Sequence, residues 1–500
     1  MKKIGASLLF LAAAVTAAFA QTNLPATRPL SLQDCFAAAL QNNFDVRIER
    51  YNPQISQFGL SSAYGGYDPQ FTFGGQHQYS DAGAYIDSSG GLIAPTVDYN
   101  NSFNSGLTGL TPWGMTYDFS GNISQQHVAK NFFSTNIFGD SSSGSVGVSV
   151  TQPLLKNFWI DGNRLQILTA KNQLKSSEQG LRGLIISTVT AVENAYYELI
   201  YARESVKVQQ EALALAQTQL DQDRQRVQVG SLAPLDVQQD EAQVAQSRAN
   251  LIAAQNTLSI DQNTLKNLLT DNYSQWHSVD VEPTAALAAV RQLFDVQDSW
   301  SKGMTERPDL QQAKLSLEQQ GIQLKYYRNQ LFPEVDLIGS YGFNGSGSEY
   351  NDSFQQMNDG SRPNYSYGGQ LTVPLSNTKA RNQLRAAKTT EKQLLLKLKQ
   401  LEQNVMVEID NAVKQAQSAW EGADATKQAR IYAEAALDAE QKKYAVGKST
   451  TFTVLQLQNN LTSARSQEIR ALADYNKALA NLAAAEGSTL QRQNLELLAK

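Results

Sequence analysis

The sequence predicts an α+β membrane protein in which strands of a membrane β-barrel alternate with coiled-coil helices of unusual length. Three observations predict this fold class. One unit of sequence occurs twice along the 500 residues. Each copy contains about 65 residues with a helical heptad pattern. Between the helices lie segments of about ten residues in which apolar and polar side chains alternate.

The chain begins with a predicted secretory signal peptide at residues 1–20. Lys2 and Lys3 supply positive charge, residues 4–17 are largely apolar, and Ala18-Phe19-Ala20 is a small-x-small cleavage site. No later segment has about 18 consecutive apolar residues, so no membrane-spanning helix is expected. With 42 basic and 47 acidic residues and no basic block, nucleic acid is not an expected partner.

The repeat is clearest in two short stretches, VGSLAPLDVQ at 229–238 and VGKSTTFTVL at 446–455, which lie 217 positions apart. A second set of matches has an offset of 264 and aligns Asp45 with Asp309. Because the offsets differ by 47, the first copy carries about 47 additional residues. Together with the signal peptide at 1–20, the repeat predicts the domain organisation. The first repeat covers 21–269, a linker segment between the repeats (equatorial in the expected tube) covers 270–305, the second repeat covers 306–485, and a C-terminal tail covers 486–500.

The long segments are rich in Ala, Gln, Leu, Glu and Lys, which favour helix. Leu213, Leu220 and Val227 recur every seven residues, as in a narrow coiled-coil seam. About 65 residues at roughly 1.5 Å each give a helix of about 100 Å, too long for an ordinary globule. Gly230 and Gly447 are expected to end the two long helices as C-caps. The other expected helices are the return helices 235–269 and 452–485, and two more at 31–62 and 306–331.

Four segments have the two-residue period of a strand: 69–79, 143–153, 333–343 and 365–374. In an exported protein, apolar side chains on one face and small or polar ones on the other indicate an outer-membrane barrel; a soluble two-sheet sandwich is the alternative. Four strands cannot close a barrel, since the smallest have about eight, whereas three copies would supply twelve. A proline, which fixes φ and lacks an N–H donor, lies at each strand–helix junction: Pro69, Pro153, Pro333 and Pro374.

Several stretches resemble the TolC-like outer-membrane efflux proteins, and together they cover nearly the whole mature chain. They are LSLQDCFAAALQNN (30–43), VTQPLLKNF (150–158), ERPDL (306–310), LTVPL (371–375) and the two Val-Gly turns. The resemblance implies a homotrimer with a twelve-stranded outer-membrane β-barrel, four strands per chain, continuous with a periplasmic α-helical coiled-coil tunnel. It also implies a passive export duct that contacts outer-membrane lipid, a periplasmic adaptor (membrane fusion) protein and an inner-membrane pump of the RND, ABC or MFS type.

The resemblance gives the Val-Gly turns a role, because in family members these turns meet the adaptor. The corresponding residues are Val229, Gly230, Ser231 and Leu232 with Val446, Gly447, Lys448 and Ser449. The acidic ring that the family places after the second turn is replaced here by Thr453 and Gln456, which leaves Asp236 as the acidic gate candidate. The basic residue that the family pairs with this acid is replaced by Ser449, and the adjacent Lys448 is a different candidate.

The additional residues of the first copy contain a predicted hairpin near 102–124, where apolar residues alternate on either side of Pro112-Trp113-Gly114. It could add two strands per chain to the barrel or extend from the barrel as an extracellular loop. We expect the extension, because the resemblance implies four strands per chain.

No catalytic residue, metal ion or cofactor is expected, and the protein is not expected to be an enzyme. His77, His127 and His277 are far apart and lack zinc-site spacing. An exported trimeric coiled-coil adhesin or structural envelope protein is the alternative, although it would place its strands at one end of the chain. A soluble carbohydrate-binding enzyme would need clustered carboxylates. The sequence does not separate drug efflux, metal efflux and type I secretion.

Overall fold

A computed structural model describes residues 27–86, 88–93, 96–129 and 139–495. The predicted signal peptide and the last five residues of the predicted tail lie outside these ranges. The α-helices are α1 (Leu32–Asn42), α2 (Phe44–Glu49), α3 (Tyr51–Tyr64), α4 (Gly162–Gln228), α5 (Pro234–Leu269), α6 (Tyr273–Trp276), α7 (Val296–Glu306), α8 (Pro308–Asn329), α9 (Tyr350–Asn358), α10 (Thr378–Ala445), α11 (Thr451–Glu486) and α12 (Thr489–Arg492). The strands are β1 (Thr27–Leu30), β2 (Gln70–Ala82), β3 (Tyr85–Ile86), β4 (Leu92–Ile93), β5 (Thr96–Leu110), β6 (Thr116–Ala129), β7 (Ser141–Pro153), β8 (Asp280–Pro283), β9 (Glu334–Gly347) and β10 (Pro363–Thr372).

The long helices of the two halves have nearly the same length. Helix α4 has 67 residues and α10 has 68, and each is followed by a helix of 36 residues, α5 or α11. The return helices begin and end within one residue of the expected bounds. No helix in the described ranges contains a stretch long and apolar enough to cross a bilayer.

The chain divides into two compact units. The first unit comprises residues 27–43, 191–290 and 419–477. Within it the second helical hairpin is held by a cluster of buried side chains from α10 and α11: Leu437, Tyr444, Val454 and Leu461. Strand β1 pairs in parallel with β8, and the Tyr196 hydroxyl of α4 donates to the Leu30 carbonyl at 3.1 Å. Helix α1 begins with a capping box between Ser31 and Asp34.

The second unit comprises residues 44–190, 291–418 and 478–495. Its centre is a six-stranded antiparallel sheet with the order β10-β9-β7-β6-β5-β2. The ERPDL stretch forms the start of α8, where Pro308 occupies the first turn. Arg307 forms ion pairs with Asp309 at 2.7 Å and with Glu408 of α10 at 2.8 Å.

The expectation of four strands per chain is wrong, because the predicted hairpin is part of the sheet. Strand β5 pairs with β2 over the whole length of β2, from Gln70 to Ala82, and β6 pairs with β7 from Thr116 to Gln126. The hairpin therefore separates β2 from β7. Since an unpaired backbone donor or acceptor away from water is unfavourable, insertion between two strands satisfies both edges of the hairpin.

The two faces of the sheet differ in polarity, as the alternating pattern predicted. One face carries aromatic and aliphatic side chains in contact across or along the strands, such as Tyr79 with Tyr99 and Tyr341 with Phe343. The other face carries hydroxyl and amide groups, and there the hydroxyls of Ser340 and Ser366 lie 2.8 Å apart. Helix α9 packs on the apolar face so closely that a Cβ at Gly345 would clash with the Ser353 carbonyl.

Candidate functional site

The two Val-Gly turns have the same backbone geometry. In the first turn (residues 229–233) the Ser231 N–H donates to the Arg226 carbonyl at 2.8 Å. In the second turn (residues 446–450) the Lys448 N–H donates to the Lys443 carbonyl at 2.9 Å. The glycines have positive φ, +77° at Gly230 and +72° at Gly447. Each turn is thus a Schellman motif with glycine at C′, and each glycine ends a long helix as expected.

Each turn presents an exposed valine and keeps its serine bound to its own hairpin. Val229 is 79% exposed and Val446 is 69% exposed. The Ser231 hydroxyl donates to the Arg226 carbonyl at 3.0 Å, and the Ser449 hydroxyl donates to Glu440 at 2.6 Å. Leu232 is half-buried and Lys448 is exposed. At both turns, a partner would therefore contact an exposed valine side chain and the glycine backbone.

The gate candidates do not form an ion pair across the turns. Asp236 is half-buried in the first turn of α5, and among the described residues it has no basic partner. Ser449 binds Glu440 instead. The Thr453 hydroxyl lies 3.0 Å from that of Thr450 at the start of α11, and Gln456 is exposed.

The two helical hairpins are instead joined by a buried acid that sequence reasoning missed. The Asp223 carboxylate of α4 accepts from the Tyr444 hydroxyl of α10 at 2.7 Å and from the Thr451 hydroxyl of α11 at 3.2 Å. Gln219 donates to the same carboxylate at 2.8 Å. We call these four side chains the tip cluster. A signal was present, because Asp223 lies three residues after Leu220 and four before Val227, on the apolar seam where an acid is unexpected.

Further polar contacts link the hairpins away from the turns. Gln243 of α5 and Asn459 of α11 exchange amide hydrogen bonds of 2.8 and 3.1 Å. Arg465 of α11 forms an ion pair with Glu211 of α4 at 2.8 Å, and a second one within its own hairpin with Glu434 of α10 at 3.2 Å. Since exposed ion pairs are worth between zero and about 1 kcal/mol each, the buried tip cluster is the stronger link.

The four prolines lie where β2, β7, β9 and β10 begin or end. Pro69 and Pro333 immediately precede β2 and β9, Pro153 ends β7, and Pro374 follows β10 by two residues. Near Pro153, Lys156 forms an ion pair with Glu334 at 3.2 Å.

The sheet brings two of the three histidines close to one tyrosine. The rings of His77 and His127 lie 6.2 and 6.1 Å from the ring of Tyr99. His77 is 2.6 Å from the Asn101 amide oxygen, and His127 pairs with Asp140. His277 contacts the Ser274 carbonyl at 3.0 Å. Within the described ranges no group of three acidic, histidine or cysteine side chains could hold a metal ion.

Comparison with known proteins gives one consistent result. The family model for "Outer membrane efflux protein" matches residues 114–270 and 301–488. The chain is 25% identical over 359 residues to the outer membrane protein TolC of Vibrio cholerae, covering 70% of this chain and 78% of the relative. It is 24% identical over 332 residues to the outer membrane efflux protein BepC of Brucella suis, and this match covers 66% of this chain and 69% of the relative.

Solved structures show the same fold. The CmeC outer membrane channel of Campylobacter jejuni aligns with a TM-score of 0.67 at 15% identity, covering 94% of this chain and 89% of that chain. The outer membrane protein VceC of Vibrio cholerae aligns with a TM-score of 0.65 at 17% identity, covering 91% and 96%. The two relatives are outer-membrane proteins, BepC being an efflux protein, and the CmeC neighbour is an outer membrane channel. The chain therefore belongs to the outer membrane efflux protein family, and it is an outer-membrane efflux duct whose helical part lies in the periplasm.

Proposed function

We propose that the protein is a homotrimer and forms the outer-membrane channel of a tripartite efflux or type I secretion system. It provides a passive path from the periplasm to the exterior for small molecules, such as drugs and toxic compounds, or for proteins. Contact of a periplasmic adaptor with the helical turns opens the path, and an inner-membrane pump of the RND, ABC or MFS type supplies the energy.

The observation that carries this proposal is the six-stranded sheet with two open edges and one apolar face. The outer edges of β2 and β10 have no strand partner in the described residues, and their side chains are largely exposed. An open edge presents unpaired N–H and C=O groups, which are unfavourable in a bilayer unless another strand pairs with them. Joining β10 of one copy to β2 of the next satisfies both edges, and the part of the apolar face that α9 leaves uncovered then meets lipid.

Three copies of this sheet give eighteen strands, and not the twelve expected from the sequence. Barrel diameter grows roughly in proportion to strand number, and barrels of 16 to 18 strands leave an aqueous channel. The polar face, rich in Ser, Thr, Asn and Gln, would line this channel.

An exposed apolar stripe on α2 and α3 supports association with a second copy. Its side chains are 55–71% exposed and follow one another at steps of four, three, four and three residues: Phe44, Ile48, Tyr51, Ile55 and Phe58. These steps are those of a coiled-coil seam, which is stable when a partner helix covers it. In a soluble monomer such a stripe would face water.

The adaptor role of the turns is supported by their equivalence. The two turns share one hydrogen-bonding pattern and one exposed valine each, so three chains would present six similar binding positions. An adaptor whose own subunits are repeated could bind all six with one type of contact.

The native mass of the protein, extracted in detergent from the outer-membrane fraction, tests the proposal. We expect about three times the mass of one chain after correction for detergent, and ion conductance when this species is added to a planar bilayer. A monomer would refute the shared barrel. A trimer that never conducts would refute the duct.

A further inference from the structure

A pair of buried acids lies at the junction of the two helical hairpins. Asp223 of α4 and Asp240 of α5 are both 0% exposed. Asp223 accepts hydrogen bonds within the tip cluster, but neither carboxyl oxygen of Asp240 receives one from the described residues. A buried carboxylate without a donor is strongly unfavourable, so this side chain favours its protonated form.

The charged and titratable groups around Asp240 are mainly acidic. Asp223 faces it from α4, Asp236 lies one turn earlier on α5, and α10 contributes the hydroxyl of Tyr444 to the same cluster. The only basic group among these side chains, Arg226 of α4, lies 3.7 Å from Asp223 and stacks 4.3 Å above the Tyr444 ring. Helix α11 contributes the neutral Thr451.

These surroundings decide which acid holds the proton. Burial, then the charge of Asp223 and that of Asp236, raise the pKa of Asp240 to about 7. Asp223 has hydrogen-bond donors and a nearby guanidinium, whereas neither oxygen of Asp240 has a partner in the described residues. The proton of this pair of acids is therefore placed on Asp240.

We propose that Asp240 acts as a proton-operated lock at the helical tip, the end of the two hairpins that carries the Val-Gly turns. In its protonated form it holds the two hairpins together. Protonated Asp240 shares its proton with Asp223, and Asp223 in turn holds Tyr444 and Thr451 of the second hairpin. Loss of the proton leaves two negative charges in one buried space, and their repulsion separates the hairpins. The claim that this movement opens a channel rests on the proposed function. The claim that the hairpins move apart when Asp240 loses its proton does not.

The direction of the pH effect follows from proton binding. When the hairpins separate, Asp240 becomes hydrated and its pKa returns towards the ordinary value of 3.8. Between about pH 4 and pH 7 the closed tip therefore binds more protons than the open tip, and acid favours closure. Raising the pH through this window weakens the closed tip. Above about 7 both states are ionised, so no further change is expected.

The distance between the two turns measures the lock directly. Spin labels on Val229→Cys and Val446→Cys, in the full chain in detergent, report this distance by pulsed electron resonance between pH 5 and pH 8.5. The buried Cys35 is changed to Ser in every variant so that only the turns are labelled. We expect a narrow distribution at pH 5 and a longer or broader one at pH 8.5, with the change complete by about pH 7.

Three substitutions distinguish the lock from a general effect of pH. Asp240→Asn is neutral at every pH and can still donate to Asp223, so it should stay closed throughout. Asp223→Asn removes the neighbouring charge, so ionised Asp240 is no longer repelled and the opening at pH 8.5 should be reduced or absent. Asp221→Asn, an exposed acid two residues away on α4, should behave like the parent chain.

Each result counts for or against the lock. A turn-to-turn distance that does not change with pH, or a change that persists in Asp240→Asn, overturns the proposal. Conductance of the same variants in a bilayer then tests the duct separately. If the distance responds to pH as expected but no variant conducts, the lock stands and the proposed function fails.

Discussion

Gly230 and Gly447 have backbone conformations that side chains with a Cβ adopt only under strain. Both have φ above +70°, and a Cβ built on either would meet no atom within 4 Å. Any destabilisation by alanine at these positions therefore arises from the backbone alone, since no contact is lost and no clash is created.

We predict that Gly230→Ala and Gly447→Ala each destabilise their own turn by about 1 kcal/mol. Hydrogen–deuterium exchange of the peptides that contain the turns measures this as faster local opening. Gly422→Ala is the control, because Gly422 lies inside α10 without positive φ and also has open space around a Cβ. The control should slow exchange, since alanine favours helix by up to about 1 kcal/mol. Equal effects at all three positions would contradict the assignment of the turns.

The hairpin of β5 and β6 shows how an element can be predicted correctly and yet be assigned to the wrong place. Its alternating pattern and its central Pro112-Trp113-Gly114 turn were visible in the sequence. The same pattern suits a strand inside the sheet and a strand in an isolated hairpin. Only the pairing of β5 with β2 and of β6 with β7 decides between them.

A disulfide between β6 and β7 tests this pairing. The hydroxyls of Ser124 and Ser143, which lie directly opposite each other, are 3.1 Å apart. We expect Ser124→Cys with Ser143→Cys to oxidise readily, because paired Cβ atoms lie within disulfide range. The control Ser120→Cys with Ser143→Cys, four residues out of register, should stay reduced. Loss of alkylation, read by mass spectrometry, reports the bond. A reduced test pair, or equal oxidation of both pairs, would place the hairpin outside the sheet.

At the scale of the whole molecule, much of the apolar surface of one chain is left uncovered. The stripe on α2 and α3 and the apolar face of the sheet are exposed together in the second unit. Burying one large aliphatic side chain is worth about 1.5–3 kcal/mol, so a stripe repeated in three copies would contribute substantially to association.

We predict that Ile55→Asp weakens the trimer, because it would place a charge within the seam. Light scattering in detergent should show a shift from three chain masses towards one, which becomes larger on dilution. The control Gln57→Asp changes the charge of the same helix at an exposed position that is not three or four residues from any member of the stripe, and it should leave the mass unchanged. Equal behaviour of the two variants would show that the stripe does not lie between copies.

Sequence reasoning succeeded where the signal is local. The C-cap glycines, the first-turn Pro234 and the return helices follow from backbone preferences that neighbouring residues express. It missed the contact that joins the two hairpins near the turns, because Asp236 and Lys448 are selected only by their places in the turns. The structure buries Asp223 with Tyr444 across 221 positions of sequence, and no local pattern specifies such a contact.

The sequence by itself determined the lengths and ends of the two long helices and the two return helices, the alternation of the strands and the family of the chain, although the helix expected at 31–62 is divided into α1, α2 and α3. These depend on periodicity, capping and motif order, which can be read along one chain. Only the tertiary structure decided that six strands share one sheet and that two acids share one buried space. Strand partners and buried charges depend on which distant segments meet, and the free energy that selects them is invisible to a local pattern.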